Sequence, residues 1–109
     1  MNDVVARYFE MWNTGAVGIA KEVLSPDWVD HAHPDVGGIA GVEKAVAAIR
    51  AVSPGLTFHV DAILDGDGDL VAAVGRVGAS RLIWLVRIED GLMAEMWTYQ
   101  TDAPASADE

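Results

Sequence analysis

The chain changes its hydrophobic period at residues 56–64, which read Leu-Thr-Phe-His-Val-Asp-Ala-Ile-Leu. Apolar side chains there alternate with Thr57, His59 and Asp61, which is the two-residue period of a half-buried β-strand. Three more strands are predicted over residues 70–77, 81–88 and 92–100, with short turns between them. The second half of the chain is therefore predicted to form an antiparallel meander of four strands.

The first of these turns, residues 65–69, reads Asp-Gly-Asp-Gly-Asp. Alternating aspartates also occur in calcium-binding loops, but Arg76 stands where such a loop places its twelfth-position glutamate. Glycine and aspartate both tolerate positive φ, so the segment favours a tight hairpin turn.

The first half of the chain follows a helical period instead. The first predicted helix covers residues 3–13, where Val4, Val5, Tyr8, Phe9 and Trp12 share one face. Further helices are predicted over residues 17–24 and 42–52, with a short strand over residues 27–33 between them. Three helices followed by a meander predict an α+β fold, in which the helices cover one face of a curved sheet and enclose a conical cavity.

Composition limits the classes of function. The 109 residues suit one domain, predicted over residues 1–101, with an acidic and disordered tail over residues 102–109. There is no cysteine, which excludes disulfides and thiolate chemistry. A net charge of −10 argues against binding to nucleic acid or to anionic membranes, and no basic, apolar leader is seen. A cytoplasmic location is predicted.

Five segments carry a family resemblance: residues 7–15 (RYFEMWNTG), residues 26–31 (PDWVDH), Gly41-Val42, Asp90-Gly91 and residues 95–97 (EMW). In these segments and in their order, the chain resembles the SnoaL-like polyketide cyclase branch of the nuclear transport factor 2-like superfamily. The resemblance implies a conical barrel of three N-terminal helices on a curved, mostly antiparallel sheet. It also implies an apolar pocket for a small hydrophobic molecule, no cofactor, and a homodimer formed through the outer sheet face.

The chain departs from the family pattern at two places. Residues 75–80 are shorter than the glycine-rich hairpin that the family carries before its penultimate strand. Thr98 follows Trp97 where polyketide cyclases tend to place an acid–base aspartate, and the nearest aspartate is Asp102.

The more distant resemblance to ketosteroid isomerase implies the catalytic residues. Tyr8 matches that family's helix tyrosine, His31 falls at the position of its general-base aspartate, and Trp84 replaces its second oxyanion donor. His31 would then move a proton near neutral pH, and Tyr8 would stabilise an enolate oxygen. Each residue also has a purely structural alternative: His31 would be packed at a strand end, and Tyr8 would lie on a helix face.

Aromatic side chains are predicted to form the walls of the pocket, because each can bury a large apolar area. The predicted substrate-binding residues are Trp12, Trp28, Trp84, Trp97 and Tyr99.

Residues 31–35 offer an alternative metal site, because His31, His33 and Asp35 alternate there as metal ligands can. Pro34 interrupts that strand and no second ligand cluster is evident, so no metal is predicted. Arg76 is the one charged residue in its strand; it would pair with a buried acid or an anionic substrate, or lie on the surface at the sheet edge.

These observations favour a small cofactor-independent enzyme that carries out acid–base cyclisation or isomerisation of a hydrophobic, polyketide- or steroid-like carbonyl compound. One alternative is a non-catalytic small-molecule-binding or dimerisation module of the same fold. Another is an epoxide hydrolase, which would need acids beside Arg76 or Arg50.

Overall fold

The computed structural model describes residues 3–100, which form three helices and one five-stranded sheet. The helices are α1 (Asp3–Thr14), α2 (Ile19–Val23) and α3 (Gly38–Val52). The strands are β1 (Leu24–Asp30), β2 (Phe58–Asp65), β3 (Leu70–Val77), β4 (Ser80–Glu89) and β5 (Leu92–Gln100). The predicted tail over residues 102–109 and the predicted domain end at residue 101 lie outside the described residues. Within residues 3–100, no helix has the length and apolar character needed to cross a membrane.

The sheet has the strand order β1-β5-β4-β3-β2, and the predicted α+β class is confirmed. Strands β2 to β5 form the predicted antiparallel meander, whereas β1 pairs in parallel with β5 at one edge. The predicted bounds of β3 and β5 agree with the structure, and the β2 and β4 predictions differ by one or two residues at each end.

The segment around β1 differs most from the prediction. Leu24, predicted as the end of a helix, pairs with Met93 and begins the strand. The strand ends at Asp30, so His31 lies in the following turn and not within the strand. Pro26 is tolerated because β1 is an edge strand whose register breaks between Leu24 and Val29. Pairing with a strand more than sixty residues away is a tertiary effect that local periodicity does not contain.

The core lies between the helices and one face of the sheet. On β4, Trp84, Val86 and Ile88 are buried on this inner face, as their alternation predicts. Val5 and Met11 of α1 are fully buried against it. The other sheet face is not covered by any helix of the described chain.

Gly75 lets strands β2 and β3 approach closely at a β-bulge, where their register shifts between Val60 and Ala62. A Cβ atom at Gly75 would overlap the carbonyl oxygen of His59. Glycine is therefore required there, and bulges of this kind increase the local twist and bend of a sheet.

Candidate active site

A cavity of about 410 Å³ lies between α1, α3 and the inner face of the sheet. Its walls are mostly aliphatic and aromatic, and one carboxylate and one imidazole reach them. The lining residues are Tyr8, Phe9, Trp12, Asp30, His33, Val36, Val42, Ala45, Ile49, Phe58, Val77, Leu82, Trp84, Met96 and Thr98.

Asp30 is the buried acid of this cavity. It is the last residue of β1 and shares the inner face with Trp28, because side chains two residues apart in a strand point the same way. Its Oδ1 accepts a hydrogen bond from the Ala32 N–H at 3.0 Å, and its Oδ2 lies 3.3 Å from Nδ1 of His33. The Asp30 side chain is 9% exposed, whereas that of His33 is 66% exposed. The pair therefore connects the cavity to solvent.

Tyr8 lies on the α1 side of the same cavity and is 2% exposed. Burial raises the pKa of its hydroxyl well above the ordinary value, and the charge of Asp30 acts in the same direction. A hydrogen bond with the Trp12 side chain has the opposite, smaller effect on this pKa. The phenol therefore stays protonated across the neutral range, as a hydrogen-bond donor.

His31, the predicted proton carrier, lies on the other face of the sheet. Its backbone N–H donates to the Met96 carbonyl at 3.0 Å, and its Nε2 lies 2.7 Å from Oε2 of Glu95. Its ring stacks on Trp97 with centroids 5.0 Å apart and planes 7° from parallel. Glu95 and Trp97 alternate along β5 with Met96 and Thr98, which line the cavity. The structure thus does not bring His31 and Tyr8 together.

The imidazole of His31 belongs instead to an outer-face ion cluster. Arg87 Nε donates to Oε1 of Glu95 at 2.8 Å, beside the His31 contact with the same carboxylate. The Arg87 hydrogen bond, followed by that of His31, lowers the pKa of Glu95. Glu95 is thereby held as a carboxylate.

The five predicted wall residues are divided between the two faces. Trp12 and Trp84 line the cavity. Trp28 is buried behind Tyr8, with ring centroids 5.8 Å apart, and is not among the lining residues. Trp97 and Tyr99 lie with Glu95 on the outer face, because they share its alternation along β5.

The remaining candidates lie outside the cavity. Arg76 Nη2 is 3.5 Å from Oδ1 of Asp61 and half exposed, in agreement with the surface alternative. Arg50 donates to the carbonyls of Leu56 and Pro54 and so ties the end of α3 to the following loop. Within residues 3–100, no group of three or more histidine, aspartate or glutamate side chains is placed to hold a metal ion.

Sequence reasoning missed the pairing of Asp30 with His33. The prediction treated residues 27–33 as one strand, which placed Asp30 and His31 on opposite faces and gave the inner face to His31. The signal that could have assigned the faces is Trp28, since a large aromatic side chain in a strand favours the buried face and places Asp30, two residues on, beside it. The strand ends at Asp30, and the following turn brings His33 to within 3.3 Å of its carboxylate.

The SnoaL-like domain model matches residues 5–96. The chain belongs to the SnoaL-like domain family. No curated protein sequence matches it.

Several solved structures share the fold. A loop-truncated variant of IdmH, a protein of Streptomyces antibioticus, is 25% identical over 93% of this chain and 92% of its own, with a TM-score of 0.74. TsrD from Streptomyces laurentii is 22% identical over 91% and 86% of the two chains, with a TM-score of 0.76. A SnoaL-like polyketide cyclase from Agrobacterium tumefaciens is 16% identical over 92% and 90%, with a TM-score of 0.73. The predicted conical fold is thus confirmed.

Proposed function

We propose that this SnoaL-like protein is an enzyme that cyclises or isomerises a hydrophobic, polyketide- or steroid-like carbonyl compound by acid–base chemistry. The observation that supports this most directly is the placement of an ionisable carboxyl, Asp30, and a buried phenol, Tyr8, in one apolar cavity. Substrate-sized apolar cavities with a few convergent polar groups are the usual form of small-molecule sites.

The proposed reaction begins with proton transfer to Asp30. Its carboxylate removes a proton from the carbon next to the substrate carbonyl, and the electron pair of that C–H bond forms the enolate. The Tyr8 hydroxyl donates a hydrogen bond to the enolate oxygen, whose charge is costly in a dry cavity. For isomerisation, the proton returns to a different carbon. For cyclisation, the enolate carbon bonds to a second carbonyl carbon, and that carbonyl oxygen takes the proton.

His33 is proposed to keep Asp30 in position and to exchange its proton with solvent. The imidazole is within 3.3 Å of the carboxylate and is largely exposed. We assign proton transfer to Asp30 and His33 rather than to His31, because the His31 ring lies against Glu95 and Trp97 on the outer face.

The test is exchange of α-protons in an apolar cyclic ketone, such as a tetralone, followed by NMR in deuterated water. Wild-type protein is expected to accelerate exchange, and Asp30→Asn is expected to lower the rate by about a hundredfold or more. Tyr8→Phe is expected to cost about a hundredfold as well, because it removes the oxyanion donor.

The matched control is His31→Ala, which changes a histidine two residues from His33 on the opposite face and is expected to leave exchange unchanged. A large loss in His31→Ala with none in Asp30→Asn would overturn the assignment. Binding of the ketone with no exchange by any variant would favour the alternative of a non-catalytic binding module.

We also propose that the protein is a homodimer joined through the outer sheet face. Leu64 and Tyr99 are exposed there, and Ile83 and Leu85 are half-buried on the same face. Exposed apolar surface of this kind is typical of interfaces. Ile83→Glu is expected to halve the mass measured by light scattering, whereas Val52→Glu on the exposed end of α3 is not. A monomeric wild type would contradict the dimer.

A further inference from the structure

The cavity combines one carboxylate with a cluster of five aromatic side chains. Within the described part of the chain, no lysine or arginine lines it. The aromatic lining residues are Tyr8, Phe9, Trp12, Phe58 and Trp84.

These rings contact one another around the wall. Tyr8 and Phe9 lie with centroids 5.2 Å apart, Phe9 and Trp84 4.6 Å apart, and Trp12 and Phe58 5.6 Å apart. The ring planes of these three pairs are inclined by 85°, 55° and 45°, so the rings are not stacked face to face. Aromatic faces carry partial negative charge, which attracts cations placed over them.

We propose that this cavity selects an apolar ligand that carries a protonated amine over uncharged and carboxylate-bearing ligands of the same shape. The substrate class would then be an amine-bearing hydrophobic carbonyl compound, an identification that rests on the proposed function because it assigns this cavity to the substrate. The binding preference itself needs no reaction.

Asp30 supplies the charge for this selection. Two titratable groups face the Asp30 carboxylate: the His33 imidazole, whose Nδ1 lies 3.3 Å from Oδ2, and the protonated hydroxyl of Tyr8. The carboxylate lies beside mostly apolar walls, where a charge is screened less than in water. An ammonium group over the aromatic rings gains contacts with their faces and is attracted by the Asp30 charge without occupying the carboxylate. A ligand carboxylate meets a like charge and no cation to pair with.

The test compares three ligands of one shape, a naphthylmethylammonium ion, naphthylmethanol and naphthoate, by calorimetric titration. It is done at physiological ionic strength and about pH 8, where an ordinary imidazole is neutral. The ammonium ligand is expected to bind about tenfold more tightly than the alcohol, and the carboxylate most weakly. Asp30→Asn is expected to remove the ammonium's advantage while the alcohol keeps its affinity.

Asp27→Asn is the matched control, because it removes the same charge from an exposed position on the same strand. It is expected to leave the order unchanged, which separates the cavity carboxylate from the overall charge of −10. Trp12→Leu leaves Asp30 intact and is expected to reduce the ammonium's advantage without reversing the order.

The proposal is overturned if naphthoate binds as tightly as the ammonium ligand, if none of the three binds, or if Asp30→Asn and Asp27→Asn change the order equally. Failure of the ketone exchange test would not alter the binding order. Loss of the order with exchange intact would reject amine selection and leave the proposed reaction standing.

Discussion

Replacement of Ala45 by leucine is expected to fill part of the cavity from the α3 side. Ala45 lines the cavity and is partly buried, and the free volume of about 410 Å³ leaves room for three more carbon atoms. At about 0.8 kcal/mol for each buried methylene, full burial would stabilise the fold by about 2 kcal/mol. Cavity-filling substitutions commonly deliver about 0.5–2 kcal/mol, so the lower half of that range is the expected gain.

The same substitution is expected to weaken ligand binding and slow ketone exchange, because the added side chain occupies part of the ligand space. Stability is measured by urea unfolding and by thermal unfolding. In the thermal experiment, a gain of 1 kcal/mol would raise Tm by about 4–8 °C for a domain of this size. Ala47→Leu is the control, because Ala47 is exposed on α3. This substitution changes helix propensity as Ala45→Leu does, but it adds no side chain to the cavity. Destabilisation of Ala45→Leu with unchanged ligand affinity would show that the cavity is not present as described.

Three substitutions test the packing and charges around the site. Gly75→Ala is expected to destabilise the fold by about 2 kcal/mol or more, because its Cβ overlaps a β2 carbonyl; a neutral result in urea unfolding would contradict the close approach. Asn13→Ala removes two side-chain hydrogen bonds to the backbone of Phe58, at 2.7 and 3.0 Å. It is expected to lower the free energy of unfolding by about 1–3 kcal/mol, seen as a lower urea midpoint. Wild-type stability in this variant would contradict that link between α1 and β2. The hydrogen bond from Arg87 lowers the pKa of Glu95 in the folded state. The ionised Glu95 therefore stabilises the fold fully at pH values above its unfolded-state pKa, and this stabilisation is lost as the pH falls through its folded-state pKa. Glu95→Gln is therefore expected to lose less free energy of unfolding than wild type on acidification, measured by urea unfolding at several pH values. Equal losses in the two proteins would contradict this role of Glu95.

The elements within the meander could be predicted because their alternation is local. Residues 56–64 show the two-residue period, and neighbouring strands joined by short turns pair with each other by default. On β4, Trp84, Val86 and Ile88 are all buried, so the structure has the same alternation in that strand.

The site was harder to predict because it depends on which face of β1 is inward and on where the strand ends. Successive residues of a strand point to opposite faces, so the burial of Trp28 places Asp30 inward and His31 outward. The sequence predicted a strand through His33, whereas parallel pairing with β5 ends it at Asp30. The turn that follows brings His33 back to Asp30 at the cavity. Tyr8 was placed correctly on the apolar face of α1 because a helical period is fixed within α1 itself.

An NMR titration with an apolar ketone tests most directly whether the ligand cavity contains His33 and excludes His31. The imidazole resonances of both are assigned with His31→Ala and His33→Ala, and the ketone is then added to wild-type protein. We expect the His33 resonances to shift with ligand and those of His31 to stay in place. Shifts confined to His31 would show that ligand binds on the outer face of the sheet, contrary to the site described above.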